Sequence, residues 1–501
     1  MRQADRKADI LVIGAGPAGL NAALAAASAG ASVLVLDENA SAGGQYFRQP
    51  IGLEDKSGGE PGRGAQTSAE KGRDLIARAK AAGIRIAAHS TVIARTGEHA
   101  LAFVESGADG ESIVEARAAA IILATGAHDR AIAFPGWDLP GVLTPGGVQT
   151  LVKSSGARLK GPVILAGSGP FLMPVARSLL EAGTNLTAVH ELARPSRWLA
   201  RAGRMVGHGE RLAELAGYAA YFVRQRLSGA RLDWRFGSRV VRAEGEGRLE
   251  RVVVARCDAH GSPQPGTESV REAAFLAVGY GFVASVQSAA LLGCRLLHRE
   301  NAGGFVVAHD EDMFTGTPGV FAAGEVAGIG GIACAAIEGR LAGLCAARSI
   351  GFAVDERAIV AARKERRKRR AFAALVAELY PVPRSLYDAI PDDVVVCRCE
   401  EVSAGAIRAA CAPWIGDASS LKAATRCGMG RCQGRFCGHQ LQEILARENG
   451  VPVEDIGPMS MRPPIKPVAA RLLAAWGERR EPVGAASSAA QGVGGPDSAG
   501  P

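Results

Sequence analysis

Near its start the chain carries two short unbroken hydrophobic runs, Ile10-Leu11-Val12-Ile13 and, after Ser32, Val33-Leu34-Val35-Leu36, on either side of an alanine-rich stretch that ends at Gly30. Apolar runs of this length without alternation are the pattern of strands covered on both faces in a parallel sheet. The stretch between them predicts a helix, with Gly30 able to take the left-handed conformation that closes it. The turn from first strand to helix reads Gly14-Ala15-Gly16-Pro17-Ala18-Gly19, and Asp37 ends the second strand. In such a unit the first glycine permits the tight turn and the second lets backbone approach a pyrophosphate. The third allows close helix–strand packing, and the acid accepts from a ribose hydroxyl. Gly14, Gly16, Gly19 and Asp37 are therefore expected to bind a dinucleotide.

The pattern returns at Val163-Ile164-Leu165-Ala166, followed by Gly167-Ser168-Gly169-Pro170-Phe171-Leu172, a helix through Ala182 and a strand ending at Glu191. Here Leu172 stands at the third glycine position, and its bulk is expected to push the helix away from the strand. Gly167, Gly169 and Glu191 are the candidate contacts for a second nucleotide, NAD or another adenine nucleotide; the alternative is a unit kept for structure alone. Between the two units, 119–126 is an apolar strand running into Thr125 and Gly126. Beyond the second, 319–325 is another, with Gly324 and Glu325 at its carboxyl end, where open α/β sheets bind ligands. The first unit thus reads as interrupted by the second, with a first domain at 1–155 and 272–355 and a second at 156–271. The fold class is α/β: two Rossmann-like three-layer domains, one inserted in the other, with a small helical domain at the C-terminus. A long arginine-rich amphipathic stretch, 196–236, reads as an inserted helical pair packed in the second domain or as a subunit interface.

That last domain, 392–450, is marked by its thiols. Six of the ten cysteines lie from Cys397 to Cys437, whereas Cys257, Cys294, Cys334 and Cys345 are scattered and read as small buried apolar residues. Cys397 and Cys399 form C-x-C; Cys432 and Cys437 form C-x4-C, a spacing that Cys427 and Cys432 repeat. Paired thiols of this kind supply the shell of an iron–sulfur cluster rather than a disulfide framework. Cys411 reads as a core residue. Ser403 and a residue near Asp417 or Ser419 are expected helix N-caps, and Cys437 leads into a last helix whose positive end, with Arg398, Arg426, Arg431 and Arg435, favours a reduced cluster.

The rest of the chain narrows the class. Apolar residues make up 48% of 501, enough for several cores. The charged start is expected not to be a secretory leader, and no run reaches the roughly 20 apolar residues of a membrane span; a reducing cytoplasm, whether free or peripheral to the inner membrane, suits free thiols. The net charge of +8 peaks in the run Arg363-Lys364-Glu365-Arg366-Arg367-Lys368-Arg369-Arg370. No base-reading motif accompanies it, which argues against nucleic acid, and a solvated basic linker helix at 356–391 is expected. The polar stretch 51–68 reads as an exposed loop. An extended surface segment is expected at 451–477, polyproline-like through Arg462-Pro463-Pro464-Ile465-Lys466-Pro467, and a disordered tail at 478–501.

Gly14 to Gly19, Gly43-Gly44-Gln45, Ala124-Thr125-Gly126 and Gly324-Glu325 together resemble the two-dinucleotide-binding-domain flavoproteins, such as thioredoxin reductase. The resemblance implies FAD in the first domain, touched in turn at its pyrophosphate and ribose, its flavin side and its ribityl chain, with Glu325 replacing the commoner aspartate. No cysteine follows Gly43-Gly44, so the dithiol chemistry of those relatives is absent. The cysteine domain resembles the bacterioferritin-associated-ferredoxin type of 2Fe-2S domain. That likeness, not spacing, selects Cys397, Cys399, Cys432 and Cys437 as ligands and leaves Cys427 as a residue whose change to serine keeps the cluster. With Ala133-Phe134-Pro135-Gly136-Trp137 and the Arg-Pro-Pro segment, the chain to about residue 470 resembles opine oxidase A subunits, hydrogen cyanide synthase B subunits and heteromeric proline or hydroxyproline dehydrogenase α subunits.

The likeness implies one component of a FAD-dependent dehydrogenase for the C–N bond of an amino acid, imino acid or opine. Electrons would pass to a 2Fe-2S cluster, and a smaller flavoprotein subunit would hold the small amino-acid-like substrate. The competing readings are an NAD(P)H-dependent reductase running electrons the other way and a non-catalytic scaffold with a structural nucleotide. No catalytic base stands out; His128, after Thr125-Gly126, is the nearest candidate.

Overall fold

The computed structural model describes residues 6–49, 68–107, 110–205, 217–218, 220–224 and 232–478. The expected loop at 51–68 and tail at 478–501 lie almost wholly outside the described residues, as does most of 206–231. In the first unit five parallel strands lie in the order Val320–Ala322, Ala120–Leu123, Ile10–Ile13, Val33–Leu36, Arg85–Ala87. The unbroken apolar runs are explained by cover on both faces. Ile10, Val12, Val33 and Val35 pack under the helices Pro17–Ser28 and Ile332–Ser349. Leu11, Ile13, Leu34 and Leu36 pack on Val92, Leu101, Phe103 and Val114 of a second, mostly antiparallel sheet. The two helices touch closely because Gly339 and Gly343 lack the Cβ that would strike the carbonyls of Ala18 and Ala22.

The second unit repeats the plan, with parallel strands ordered Val142–Leu143, Phe275–Gly279, Val163–Gly167, Leu186–Glu191, Asp233–Phe236. This corrects the boundaries expected at 155 and 272. Phe275–Gly279 pairs residue for residue with Val163–Gly167, and Val142–Leu143 flanks it. A central strand needs a partner on each edge, and this one takes its second partner from beyond the insertion. The helices Pro145–Ser155 and Leu172–Glu181 cover one face, and the antiparallel strands Ser238–Glu244, Arg251–Arg256 and Ser269–Glu272 cover the other.

The basic run forms the helix Glu356–Leu379, but not a solvated one. Arg366 and Arg370 bond to the fully buried Glu338 at 3.0 and 2.7 Å, and Arg363 bonds to Asp312. The arginines at helical spacing brace the first unit. The segment 451–477 is likewise not extended throughout. Val453–Ile456 is a helical turn and Ala470–Glu478 a helix, because Leu472, Leu473 and Trp476 share a face that packs on Ile93, Ala102 and Ile113. Ile465, between them, donates its N–H to Ile93 at 2.9 Å.

The cysteine domain comprises the strand pair Val395–Cys397 and Val402–Ser403 with the helices Ala404–Ala409, Ala418–Thr425 and Gly438–Glu448. Ser403 and Asp417 cap the first two helices, accepting from Ala406, and from Ser419 and Ser420, respectively. Its core, through Val396, Ile407, Leu421 and Leu441, is continuous with that of the second unit at Phe134, Trp137 and Tyr280. The domain is therefore seated rather than tethered.

Candidate cofactor sites and the seam between them

At the carboxyl end of the first sheet the glycine turn makes a narrow cradle. Gly14 takes φ +103°, and a Cβ there would strike the carbonyl of Ala124; one at Gly19 would strike the carbonyl of Gly14. Gly43 donates to the Ala15 carbonyl at 2.8 Å, and a Cβ on Gly44 would come within 2.8 Å of Gly16. Asp37 is buried, accepting from the N–H of Ala15 at 2.6 Å and of Asn39 at 2.8 Å. Thr125 donates to the Ser285 carbonyl at 2.7 Å, and Ser285 N–H donates to Gly126 at 3.0 Å, which fixes the crossing turn. Gly324 donates to Glu338 at 3.1 Å, and Glu325 accepts from Gly330 and Gly331; removal from solvent raises its pKa. Gln45 is exposed and paired with Arg48. Lys466 reaches back from the C-terminal segment to Glu38, beside Asp37. The fold thus gathers Gly14, Gly16, Gly19, Asp37, Gly43, Gly44, Thr125, Gly126, Gly324 and Glu325 around one end of one sheet. A cradle that no side chain may enter, with backbone N–H groups at a helix N-terminus, suits a dinucleotide pyrophosphate.

The second turn is shaped differently. A Cβ on Gly167 would strike the Gly279 carbonyl, while Gly169 faces open space. Leu172 is buried among Val175, Ala176 and Leu179, and the helix begins only at Leu172, five residues after Gly167, against three in the first unit. The side chain is accommodated by that later start. Glu191 accepts from Gly169 at 3.2 Å and Ala193 at 2.8 Å, and burial pushes its pKa up to about 8.

The cysteines gather into two groups. The sulfurs of Cys397, Cys427 and Cys437 lie within 4.8 Å of one another, all buried. Cys399, exposed, receives the Cys432 N–H on its sulfur. Thiol hydrogen bonds from Cys427 and Cys437 and the N–H groups of Gly428 and Glu400 stabilise the Cys397 thiolate and lower its pKa. The N-terminus of the helix Gly438–Glu448 begins directly after Cys437. This all-sulfur donor set at a positive helix end fits an iron–sulfur cluster. Cys257, Cys294, Cys334 and Cys345 are buried and lie outside the nest; Cys411 is half-buried, its thiol donating to the Ile407 carbonyl.

Several contacts join the cysteine domain to the rest. Trp137 Nε1 donates to Val395 at 2.6 Å, with the Arg398 guanidinium over its ring. Ala133 N–H donates to the buried Gln440 at 2.8 Å. His128 Nε2 lies 2.8 Å from the Arg435 carbonyl, so this nitrogen carries the proton and donates. Burial and the nearby Arg435 and Arg130 depress the His128 pKa to about 4. The candidate base is thus a neutral bridge, placed between Gly126 on one side and Cys432 and Cys437 on the other. It borders a cavity of about 80 Å³ shared with Arg130, His298, His439 and Glu443. Sequence reasoning missed the seating roles of Gln440 and Trp137 and the anchor Glu338. The last had a signal, a lone acid in a helix of Ala, Gly and Leu that precedes an arginine run.

Dinucleotide cradle and thiol nest on one seamed body define a FAD-dependent oxidoreductase with a 2Fe-2S domain. The chain belongs to the pyridine nucleotide-disulphide oxidoreductase family, which residues 8–340 match; residues 395–447 match the BFD-like 2Fe-2S binding domain. It is 33% identical over 465 residues to the opine oxidase A subunit of Rhizobium meliloti (strain 1021), covering 92% of this chain and 97% of that one. It is 32% identical over 468 residues to the hydrogen cyanide synthase protein HcnB of Pseudomonas aeruginosa, covering 91% and 96%. The fold matches L-proline dehydrogenase from P. horikoshii with a TM-score of 0.65 at 20% identity, over 94% of this chain and 81% of that one. Among the described residues no helix is long and apolar enough to cross a membrane.

Proposed function

We propose that this chain is the relay subunit of a dehydrogenase that oxidises the C–N bond of an amino acid, imino acid or opine. In this reading it works with a smaller flavoprotein subunit that holds the substrate. The observation that carries it is the His128–Arg435 bridge. One hydrogen bond ties the turn behind Thr125-Gly126 to the loop between Cys432 and Cys437. The names of the relatives, the A subunit of an opine oxidase and one subunit of hydrogen cyanide synthase, support a heteromeric enzyme working on nitrogen-bearing substrates.

FAD accepts electrons in pairs and a 2Fe-2S cluster passes them singly, which is the chemistry the two groups supply when bound. The chain's own residues divide the remaining work. Gly14, Gly16 and Gly19 would admit the pyrophosphate, Asp37 with Gly43, Gly44 and Gln45 the ribose, Thr125 and Gly126 the flavin side, and Gly324 and Glu325 the ribityl chain. Cys397, Cys399, Cys432 and Cys437 would hold the cluster. His128 keeps the two halves in register: its Nε2 proton is committed to Arg435, its Nδ1 faces the Ser285 hydroxyl, and burial makes it a weak base. Gly167, Gly169 and Glu191 remain the seat for a second adenine nucleotide. The test mixes the anaerobic full-length protein first with NADH alone, then with an opine or proline together with its co-expressed partner. Flavin bleaching and the signal of a reduced cluster should follow only the second addition; rapid bleaching by NADH alone would establish a reductase instead.

A further inference from the structure

The nest contains five thiols, one more than a 2Fe-2S cluster takes. The role of the thiol left over rests on the iron–sulfur reading above. Two thiolates bound to one tetrahedral metal at about 2.3 Å, the distance zinc takes, stand about 3.8 Å apart. The sulfurs of Cys397, Cys427 and Cys437 all lie within 4.8 Å of one another, near enough that three of them would compete for two places on one iron, the inner one. Cys399 and Cys432, joined through the Cys432 N–H, form the other pair.

Cys427 is aimed at the nest by its backbone. Arg426 closes the helix Ala418–Thr425 at φ +63°, donating to Lys422 at 2.9 Å, and Cys427 N–H donates to Thr425 Oγ1 at 3.2 Å. The side chain that results has no exposure, and its sulfur hydrogen-bonds with Cys397 and Cys437. The next residue, Gly428, donates its N–H to the Cys397 sulfur. A buried apolar role would place the thiol against aliphatic carbon, not against two other candidate ligands.

We propose that Cys427 is a reserve ligand of the inner iron, taking the place of Cys437 when that thiolate is lost. The inner position then tolerates loss of one ligand, and the outer position, with no spare, does not. The test uses full-length variants prepared anaerobically and reconstituted with iron and sulfide, read by iron and sulfide content and by electron paramagnetic resonance of the reduced protein. Cys427→Ala should keep the wild-type iron content and g values. Cys437→Ala should keep more than about half the wild-type iron with shifted g values, while Cys427→Ala/Cys437→Ala and Cys399→Ala should each lose at least about fivefold. Circular dichroism checks that each is folded, and the pair Cys397→Ala and Cys397→Ala/Cys427→Ala asks the same question should Cys437→Ala fail to fold. Iron in Cys437→Ala as low as in the double variant would overturn the proposal, as would equal retention by Cys399→Ala. Shifted g values in Cys427→Ala would also overturn it, by making Cys427 a resident ligand. A wild-type protein that takes up no iron would instead sink the relay reading itself.

Discussion

Replacing Glu338 by glutamine keeps the side chain's volume and removes its charge. The carboxylate is fully buried and accepts from Arg366 at 3.0 Å, from Arg370 at 2.7 Å through each of two nitrogens, and from Gly324 N–H at 3.1 Å. The two guanidinium partners are only 15% and 22% exposed, and against the upward pull of burial they hold the Glu338 pKa below its ordinary value. Breaking a buried pair by removing one partner costs about 3–5 kcal/mol, because the charges left behind are unpaired. Both arginines can swing partly into water, which puts the expected loss near the lower figure, about 3 kcal/mol. At about 2–4 °C per kcal/mol for domains of this size, the thermal transition should fall by about 6–12 °C. Circular dichroism melts of the variant beside Arg369→Ala supply the contrast, since among the described residues Arg369 pairs only with its own helix neighbour Glu365 and should cost under about 0.5 kcal/mol. Because Gly324 sits at the strand end where the ribityl chain is expected, flavin retained through purification should fall as well. A Glu338→Gln melt that matches the Arg369→Ala melt would refute the bracing role and return the helix to the status of a solvated linker.

Three further expectations follow from the same geometry. His128 and His190 have pKa values depressed to about 4, so the unfolded chain binds protons that the folded one refuses. The two histidines' contribution to stability should be complete above about pH 6.5 and be lost as the pH drops toward 4, by up to about 3 kcal/mol per histidine; urea midpoints across that range should depend on pH differently in His128→Gln than in the wild type, and an identical profile would contradict it. Trp137→Ala removes a side chain that is 4% exposed together with its bond to Val395, at a cost of about 3–5 kcal/mol. Limited proteolysis should then release the cysteine domain sooner, and wild-type resistance would show that the seat lies elsewhere. Gly19→Ala places a methyl group against the Gly14 carbonyl, so the purified protein should lose most of its flavin absorbance while keeping its helical content; full flavin occupancy would argue that the first turn is not the cradle.

The strands Ile10–Ile13, Val33–Leu36 and Val163–Gly167, both glycine turns, the paired acids Asp37 and Glu191 and the caps Ser403 and Asp417 were legible in the sequence. Each depends on interactions a few residues long: apolar runs that want two covered faces, a turn that tolerates no Cβ, a side-chain oxygen that meets N–H groups two or three residues ahead. What only the tertiary structure decided involves partners far apart in sequence. Phe275–Gly279 joined the second sheet because Val163–Gly167 lacked a neighbour on that edge. Arg366 and Arg370 turned inward because a single acid 28 and 32 residues away is fully buried and takes both guanidinium groups as partners. Cys427, set aside on family likeness, came to lie among Cys397 and Cys437, since spacing along a chain does not say which way a loop points its sulfur. His128 met Arg435 across 307 residues, and that contact, which no local pattern announces, turned a candidate base into the joint between the two halves of the molecule.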